Sequence, residues 1–190
     1  IVNFSAGPAA IPEEVLLSAQ SDLVNYQGAG LSLMEMSHRS NEYDEIHANA
    51  ISNITQLLSI PSNYSVLFLQ GGASHQFAMV PLNLAGNKSV DVVNTGSWTK
   101  KAIGELKKGY AHRIVATGEK KNFLTLPTID SGLFSDDAAY GYMCSNNTIF
   151  GTQFKSFPTL SIPLVADMSS DILSRPLDVS QFGLIFRLYL

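Results

Sequence analysis

Two adjacent glycines followed by small residues, Gly71-Gly72-Ala73-Ser74, separate an apolar run from a helical pattern. Glycine lets the backbone approach a ligand closely, and the free N–H groups at a helix start attract an anion such as phosphate. A tight turn from strand to helix would have the same composition. The segment is therefore a candidate phosphate-binding turn, and on these residues alone both interpretations stay open.

Three further apolar runs end in residues that could contact a bound ring. Trp98, the only tryptophan, lies at a predicted helix start, where its indole could stack on a planar ring or pack in the core. The polar cluster Ser145-Asn146-Asn147-Thr148 follows another run, and Asp167 follows a third. A carboxylate at the end of a buried strand is itself partly buried, and such a group usually has a cationic partner.

The elements that must position these residues alternate between helical and strand patterns. Helices are predicted over residues 12–27, 40–58, 76–84 and 97–108. Strands are predicted over residues 65–70, 90–94, 113–116, 138–144, 164–166 and 184–188. Pro12 is expected at the first helical position, and Ser40 or Asn41 as the cap of the second helix. Residues 120–137 are expected to form an irregular surface excursion.

Apolar strands separated by helices indicate an α/β fold, with a mostly parallel sheet and helices on both faces. Ligands of such sheets bind beyond the carboxyl ends of the strands, where all the candidate residues are expected. Together these residues suit a ligand with a phosphate, an aromatic ring and a protonated ring nitrogen. Pyridoxal 5'-phosphate has all three, and its chemistry needs an aspartate on the ring nitrogen and a lysine. Asp167 meets the first need.

Composition narrows the possible functions. The 190 residues are 45% hydrophobic and 15% charged, which is enough for a sizeable core, and the net charge of -4 gives no sign of nucleic-acid or anionic-membrane binding. No apolar run approaches the roughly 18 to 20 residues needed to cross a bilayer. The single cysteine, Cys144, cannot make an internal disulfide, which suits a reducing compartment. His47 and His112 lack ligand-like spacing, so no metal site is predicted.

The sequence resembles the phosphoserine aminotransferases, a family of fold-type I pyridoxal-phosphate enzymes. The segments that carry the resemblance, in chain order, are Asn3-Phe4-Ser5-Ala6-Gly7-Pro8, Met34–Arg39, Phe68–Ser74, Thr95–Trp98, Asn146–Gln153 and Asp167–Phe186. They correspond to roughly the first half of a family member. The resemblance implies an N-terminal segment with two helices over residues 1–58. It also implies an incomplete large domain over 59–190, cut before the Schiff-base lysine, with the C-terminal small domain absent.

The resemblance also implies roles at the cofactor. The backbone at Ala73 and Ser74 would bind its phosphate, Trp98 would stack on the pyridine ring, and Thr148 would donate a hydrogen bond to or accept one from the cofactor. Asp167 would pair with the ring nitrogen and keep it protonated.

The resemblance also implies a substrate-binding role for two residues near the N-terminus. His38 and Arg39 would receive a substrate anion, since a guanidinium can bind a carboxylate through two parallel hydrogen bonds. Without the resemblance, a solvated loop pair would be the favoured interpretation. His75 matches no family role and is expected to be only a helix-start residue.

The sequence departs from the family after Phe186. Family members continue through small residues into a Gln-Lys-Asn segment whose lysine attaches the cofactor, whereas this chain has Arg187-Leu188-Tyr189-Leu190. None of its eight lysines follows that strand. The first residue is Ile1 rather than Met, which is expected of a fragment or a processed chain.

Two functions therefore compete. In the first, the chain is a cytoplasmic, homodimeric phosphoserine aminotransferase of serine biosynthesis, and of the related step in pyridoxine biosynthesis. It would transfer an amino group from glutamate to 3-phosphohydroxypyruvate to give O-phosphoserine and 2-oxoglutarate. In the second, it is a truncated, non-catalytic fragment without the lysine, inactive alone. Neither involves nucleic acid or a membrane.

Overall fold

The computed structural model describes residues 2–5 and 9–188. These form two compact units, residues 1–66 and 67–190. Residues 6–8 of the first family-like motif, and the last two residues of the chain, lie outside the described residues. No helix of the described part is long and apolar enough to cross a membrane.

The first unit begins with helix α1, Glu13–Val24. Pro12 is its N-cap rather than its first helical residue, because its ψ of 139° is not helical. The predicted helix to residue 27 is too long: Tyr26–Gly28 forms a separate turn of 3-10 helix, within which Gln27 has a φ of 47°. A residue in the left-handed region interrupts a right-handed helix.

Helix α2, Asn41–Leu57, ends the regular structure of this unit. Of the two predicted caps, Ser40 is the one used, since its hydroxyl accepts a hydrogen bond from the Tyr43 N–H at 3.2 Å. This bond satisfies one of the N–H groups that a helix start leaves without an intrahelical acceptor.

A five-stranded parallel sheet is the centre of the second unit. Its strands are β1 (Val90–Asn94), β2 (His112–Thr117), β3 (Tyr140–Cys144), β6 (Leu164–Asp167) and β7 (Leu184–Phe186). They lie in the order β2-β1-β3-β6-β7. A short antiparallel hairpin, β4 (Asn146–Asn147) with β5 (Thr152–Gln153), follows β3. The prediction of a mostly parallel α/β sheet with helices is confirmed.

The two faces of the sheet are covered differently. Helices α3 (Ala73–Leu84) and α4 (Ser97–Leu106) cover one face, where the buried Phe77 and Ile103 pack with Val92. Irregular segments cover the other face within this unit. There Phe134, Phe154 and Phe182 are among the side chains that pack against the sheet. Because the segment 120–137 contributes Phe134 to this core, it is irregular as predicted but not wholly on the surface.

One predicted strand is not formed. Residues 65–69 join no strand of the sheet, and Leu67 and Leu69 are 71% and 59% exposed. A strand requires a partner for its backbone groups, and local apolar composition does not reveal whether one is available. The other predicted elements are present, with ends shifted by up to three residues.

Candidate functional site

The parallel sheet brings the candidate residues to one edge. Strands β1, β3, β6 and β7 all run in the same direction, and Asp167 pairs in register with Cys144 on one side and Phe186 on the other. The loops that follow these strands therefore leave the sheet side by side. This is the edge at which α/β sheets bind their ligands.

Asp167 is the buried acid of this edge, with only 4% of its surface exposed. The backbone N–H and the hydroxyl of Ser169 both donate to its Oδ1, at 3.0 and 2.6 Å. Burial raises the pKa of Asp167; the Ser169 hydrogen bonds oppose this, and the negative charge of Asp171 adds to it. The cation expected beside this carboxylate is not found among the described residues, where Ser169 is the partner instead. The other carboxylate oxygen of Asp167, Oδ2, accepts no hydrogen bond from the described residues, so a cationic ligand group could pair with Oδ2.

Trp98 and Thr148 lie together at the neighbouring loops. The indole Nε1 donates to the Thr148 hydroxyl at 3.2 Å, although 50 positions separate the two residues. This contact depends on Gly96, whose φ is 139°: a Cβ there would lie 2.5 Å from the side-chain amide nitrogen of Asn147. That same amide nitrogen donates to the Thr95 carbonyl at 3.0 Å. The hairpin after β3 is thereby held against the start of α4.

The glycine turn leads directly into α3. Gly72 is the N-cap and no side chain caps this helix, so the N–H groups of Ala73 and Ser74 are in its first turn and have no intrahelical acceptor. The prediction that this helix begins at residue 76 was wrong by three residues. Because the helix begins at Ala73, its first-turn N–H groups are those of the residues predicted to bind phosphate. His75 packs against Gly71, where a Cβ would lie 2.4 Å from its Nδ1. The His75 side chain therefore fills the space beside Gly71 that a Cβ would need.

The end of the described chain connects the glycine turn to the buried acid. The Leu188 N–H donates to the Ser169 hydroxyl at 3.2 Å, and that hydroxyl donates in turn to Asp167. The Leu188 Cδ1 lies 3.4 Å from the position that a Cβ on Gly72 would occupy. The glycine turn before Ala73 and Ser74 is thus linked through Leu188 and Ser169 to Asp167.

The predicted substrate-binding pair lies in the other unit. His38 and Arg39 are both exposed, and the Arg39 backbone N–H donates to the Ser37 hydroxyl at 3.2 Å. Their role stays a prediction.

Sequence reasoning missed several residues of the site. Ser169 has a recognisable signal, because an aspartate commonly accepts hydrogen bonds from the residue two positions later. The Lys101 ammonium lies 4.5 Å from the Trp98 ring centroid. This contact could also have been predicted, because residues three apart on a helix are neighbours. Asp171 has no such signal, since its partners Ser145 and Gln153 are distant in sequence.

The residues of this edge fit a phosphorylated, cationic, planar ligand. The first turn of α3 offers N–H donors, Trp98 offers a half-exposed ring, and Asp167 offers an anion. Two buried polar atoms nearby, Thr95 Oγ1 and Asn147 Oδ1, have no hydrogen-bond partner among the described residues. Unpaired buried polar groups are unfavourable and are common at sites that receive a ligand or water.

Known relatives support the same interpretation. A phosphoserine aminotransferase of Geobacillus kaustophilus is 50% identical over 185 residues, which are 97% of this chain and 51% of the relative. The phosphoserine aminotransferase 2, chloroplastic, of Arabidopsis thaliana is 51% identical over 190 residues, which are 98% of this chain and 45% of the relative.

Solved structures agree with the sequences. The phosphoserine aminotransferase from Bacillus circulans subsp. alkalophilus has a TM-score of 0.92 at 48% identity, with 98% of this chain and 52% of that one covered. The PLP-bound phosphoserine aminotransferase from Trichomonas vaginalis has a TM-score of 0.90 at 40% identity, with 98% and 56% covered. The chain thus spans about half the length of these relatives.

A family match covers almost the whole chain. Residues 1–187 match the sequence profile of the family Aminotransferase class-V. The parallel sheet, the buried acid at its carboxyl edge and this match agree, and the chain belongs to the class-V aminotransferases.

Proposed function

We propose that the chain is the cofactor-binding half of a phosphoserine aminotransferase that uses pyridoxal 5'-phosphate. The whole enzyme would transfer an amino group from glutamate to 3-phosphohydroxypyruvate and give O-phosphoserine and 2-oxoglutarate in serine biosynthesis. The observation that carries the proposal is the convergence of the Trp98–Thr148 hydrogen bond and the buried Asp167 on one sheet edge. Relatives that bear this enzyme's name, at about 50% identity, support the substrate class.

The residues of this chain would hold the cofactor at both ends. The N–H groups of Ala73 and Ser74 would bind the phosphate, favoured by the partial positive charge of the α3 start. Trp98 would stack on the ring face, and its bond to Thr148 fixes the orientation of the indole. When bound, the cofactor supplies an electron-withdrawing ring. Its withdrawing strength depends on a proton on the ring nitrogen.

Asp167 would keep that proton in place. Because burial raises the pKa of this carboxyl, its ionised form is unfavourable unless a positive charge lies beside it. A protonated ring nitrogen provides this charge. The Ser169 hydrogen bonds fix Oδ1 and leave Oδ2 as the atom for the pairing.

We further propose a role for the first unit and an assembly for the whole enzyme. Arg39, with His38 beside it, would bind an anionic group of the substrate. Residues 1–58 would form a segment leading into a large domain that begins at residue 59, and the whole enzyme would be a cytoplasmic homodimer that also includes a small domain.

The alternative is a non-catalytic fragment, and the lysines favour it for the chain alone. Lys100, Lys108 and Lys155 contact Glu119, Glu105 and Gln153, and none of these contacts is with Asp167. Within the described part of the chain, Lys101, over the Trp98 ring, is the one lysine in contact with a predicted cofactor residue, and it lies on a helix rather than after β7. The chain alone would then bind the cofactor without covalent attachment.

A turnover assay with glutamate and 3-phosphohydroxypyruvate separates the two functions. We expect no turnover from the 190-residue chain with added cofactor. Turnover is expected once the C-terminal half of the Geobacillus kaustophilus relative is supplied as a second chain. The control is the same mixture with Asp167→Asn, which should stay inactive. Failure of the mixture, despite a complex between the two chains on size exclusion, would contradict the proposed function.

A further inference from the structure

A second buried acid lies beside the candidate site and has no role in the function proposed above. Asp171 is 7% exposed and lies four residues after Asp167. Its Oδ1 accepts a hydrogen bond from the Ser145 hydroxyl, and its Oδ2 accepts one from the Gln153 side chain at 3.0 Å. Arg175 Nη2 is 3.8 Å from the same Oδ2. These four residues are called the Asp171 cluster.

The cluster joins two segments that are far apart in sequence. Ser145 directly precedes the hairpin that contains Thr148, and Gln153 is the last residue of that hairpin. Asp171 and Arg175 lie in the loop after β6. Arg175 also donates to the Phe154 carbonyl at 2.7 Å. The loop after Asp167 is therefore fastened to both ends of the hairpin segment.

Ser145 is the direct link from this cluster to Asp167. Its N–H donates to the Asp167 carbonyl at 3.0 Å, and its hydroxyl oxygen lies 3.0 Å from the same carbonyl. A hydroxyl donates through its one proton, and the Asp171 carboxylate is the stronger of the two acceptors, so the Ser145 hydroxyl donates its hydrogen bond to Asp171. Asp171 thus fixes the rotamer of a residue whose backbone holds the end of β6.

The two joined segments contain little regular structure that could fix them otherwise. The hairpin strands are two residues each, and the loop after β6 has no helix before Val179. A second contact, from the Asn146 side-chain nitrogen to the Ser170 hydroxyl at 2.9 Å, lies at a more exposed position. Burying a carboxylate is costly unless it is well paired, so its use here indicates a gain in defined geometry.

We propose that Asp171 is a positioning residue: through Ser145, Gln153 and Arg175 it fixes the hairpin with Thr148 relative to the loop of Asp167, and so sets the spacing of the cofactor-binding groups. The inference rests on the proposed function for its ligand, pyridoxal phosphate. Its structural part, the coupling of the two segments, stands on the contacts of this chain.

The variant Asp171→Asn tests this, because it keeps the shape and removes the charge and one acceptor. A matched control is Asp91→Asn. Asp91 is fully buried and receives two bonds from Arg113, at 3.0 and 2.7 Å, but it is near the amino end of β1. Each variant removes the charge of a buried aspartate that is paired with an arginine, and only one of the two pairs lies at the candidate site.

Two measurements follow, cofactor affinity from the fluorescence of Trp98 and hydrogen exchange over residues 145–154 and 168–175. We expect Asp171→Asn to weaken pyridoxal phosphate binding roughly tenfold, as is typical when buried donors lose a charged acceptor, and to speed exchange in both segments. Asp91→Asn should lower the thermal midpoint but leave the affinity of the folded chain and both segments unchanged. If both residues act through the same contact, the double variant Asp171→Asn with Ser145→Ala should bind pyridoxal phosphate no more weakly than the weaker-binding of the two single variants.

Wild-type affinity in Asp171→Asn, or faster exchange confined to residues 168–175, would overturn the inference. Equal losses of affinity in Asp171→Asn and Asp91→Asn would also overturn it, because they would show a general effect of stability. If the unmodified chain binds no pyridoxal phosphate, the proposed function fails instead. The exchange comparison then still decides whether Asp171 couples the two segments.

Discussion

Asp167 combines burial with incomplete pairing. Ser169 supplies both of its hydrogen bonds, and both end at Oδ1. The pKa of this carboxyl is raised because burial outweighs its hydrogen bonds. A group that is unfavourable in the folded chain and becomes favourable beside a cation is typical of a binding residue.

The pH dependence of stability reports this directly. Since the folded pKa of Asp167 lies above the unfolded one, the folded chain binds a proton more tightly, and the free energy of unfolding falls as the pH rises through these two values. Asp167→Asn removes the ionisation and retains an oxygen that accepts the Ser169 bonds. We expect the variant to exceed the wild type in thermal midpoint at pH 7 and to lose this advantage below the ordinary aspartate pKa of about 3.9. A lower midpoint for the variant at pH 7 would contradict this account of Asp167.

The Leu188 side chain lies where it could restrict the proposed phosphate site. It lies against Gly72, next to the N–H groups proposed to bind phosphate. A large apolar side chain there would exclude part of the ligand, so we expect Leu188→Gly to tighten pyridoxal phosphate binding by about fivefold, roughly 1 kcal/mol. Leu124→Gly, at a 71% exposed position elsewhere, serves as the control. Unchanged affinity in Leu188→Gly would show that this side chain does not restrict the site.

The turn from residue 70 into α3 requires glycine at position 71. Gly71 has a φ of 98°, and any Cβ there would meet His75. We expect Gly71→Ala to lower the free energy of unfolding by at least about 1 to 2 kcal/mol, the cost of a left-handed residue with a Cβ. Gly104→Ala, at a helical position with nothing within 4 Å, should instead stabilise by roughly 0.5 to 1 kcal/mol. Chemical denaturation of both variants measures the contrast, and equal effects would contradict the turn geometry.

Much of the fold, and part of the site, could be predicted from the sequence. Periodicity predicted all five strands of the sheet, because each is a short apolar run followed by a polar residue or glycine. It failed for residues 65–70, where the pattern was equally apolar but no pairing strand is present among the described residues. Asp167 was predictable as the residue after a buried strand. The burial of Asp171 was not, since it depends on Ser145, 26 residues away.

For the whole molecule, exposed apolar side chains predict self-association. Leu67 and Leu69 are mostly exposed in a segment that joins no strand of the sheet, and Leu16 and Leu17 of α1 are 51% and 57% exposed. Exposed apolar side chains that lie close together are prone to aggregation. We expect the purified chain to form oligomers at micromolar concentration in light scattering, and the pair Leu67→Lys and Leu69→Lys to reduce them. A monodisperse monomer with slow hydrogen exchange over residues 66–70 would contradict this.

The proposed function requires that this chain bind pyridoxal phosphate through Trp98 and Asp167, and without the lysine that binding is not covalent. Its single tryptophan makes the test direct, because Trp98 fluorescence reports only on the candidate site. On titration with pyridoxal phosphate we expect saturable quenching that reverses on dilution. Borohydride treatment of the saturated sample should fix no cofactor on any single lysine, Lys101 included. The quenching should be lost in Asp167→Asn. Absence of saturable quenching in the unmodified chain, or stoichiometric labelling of one lysine, would contradict the claim.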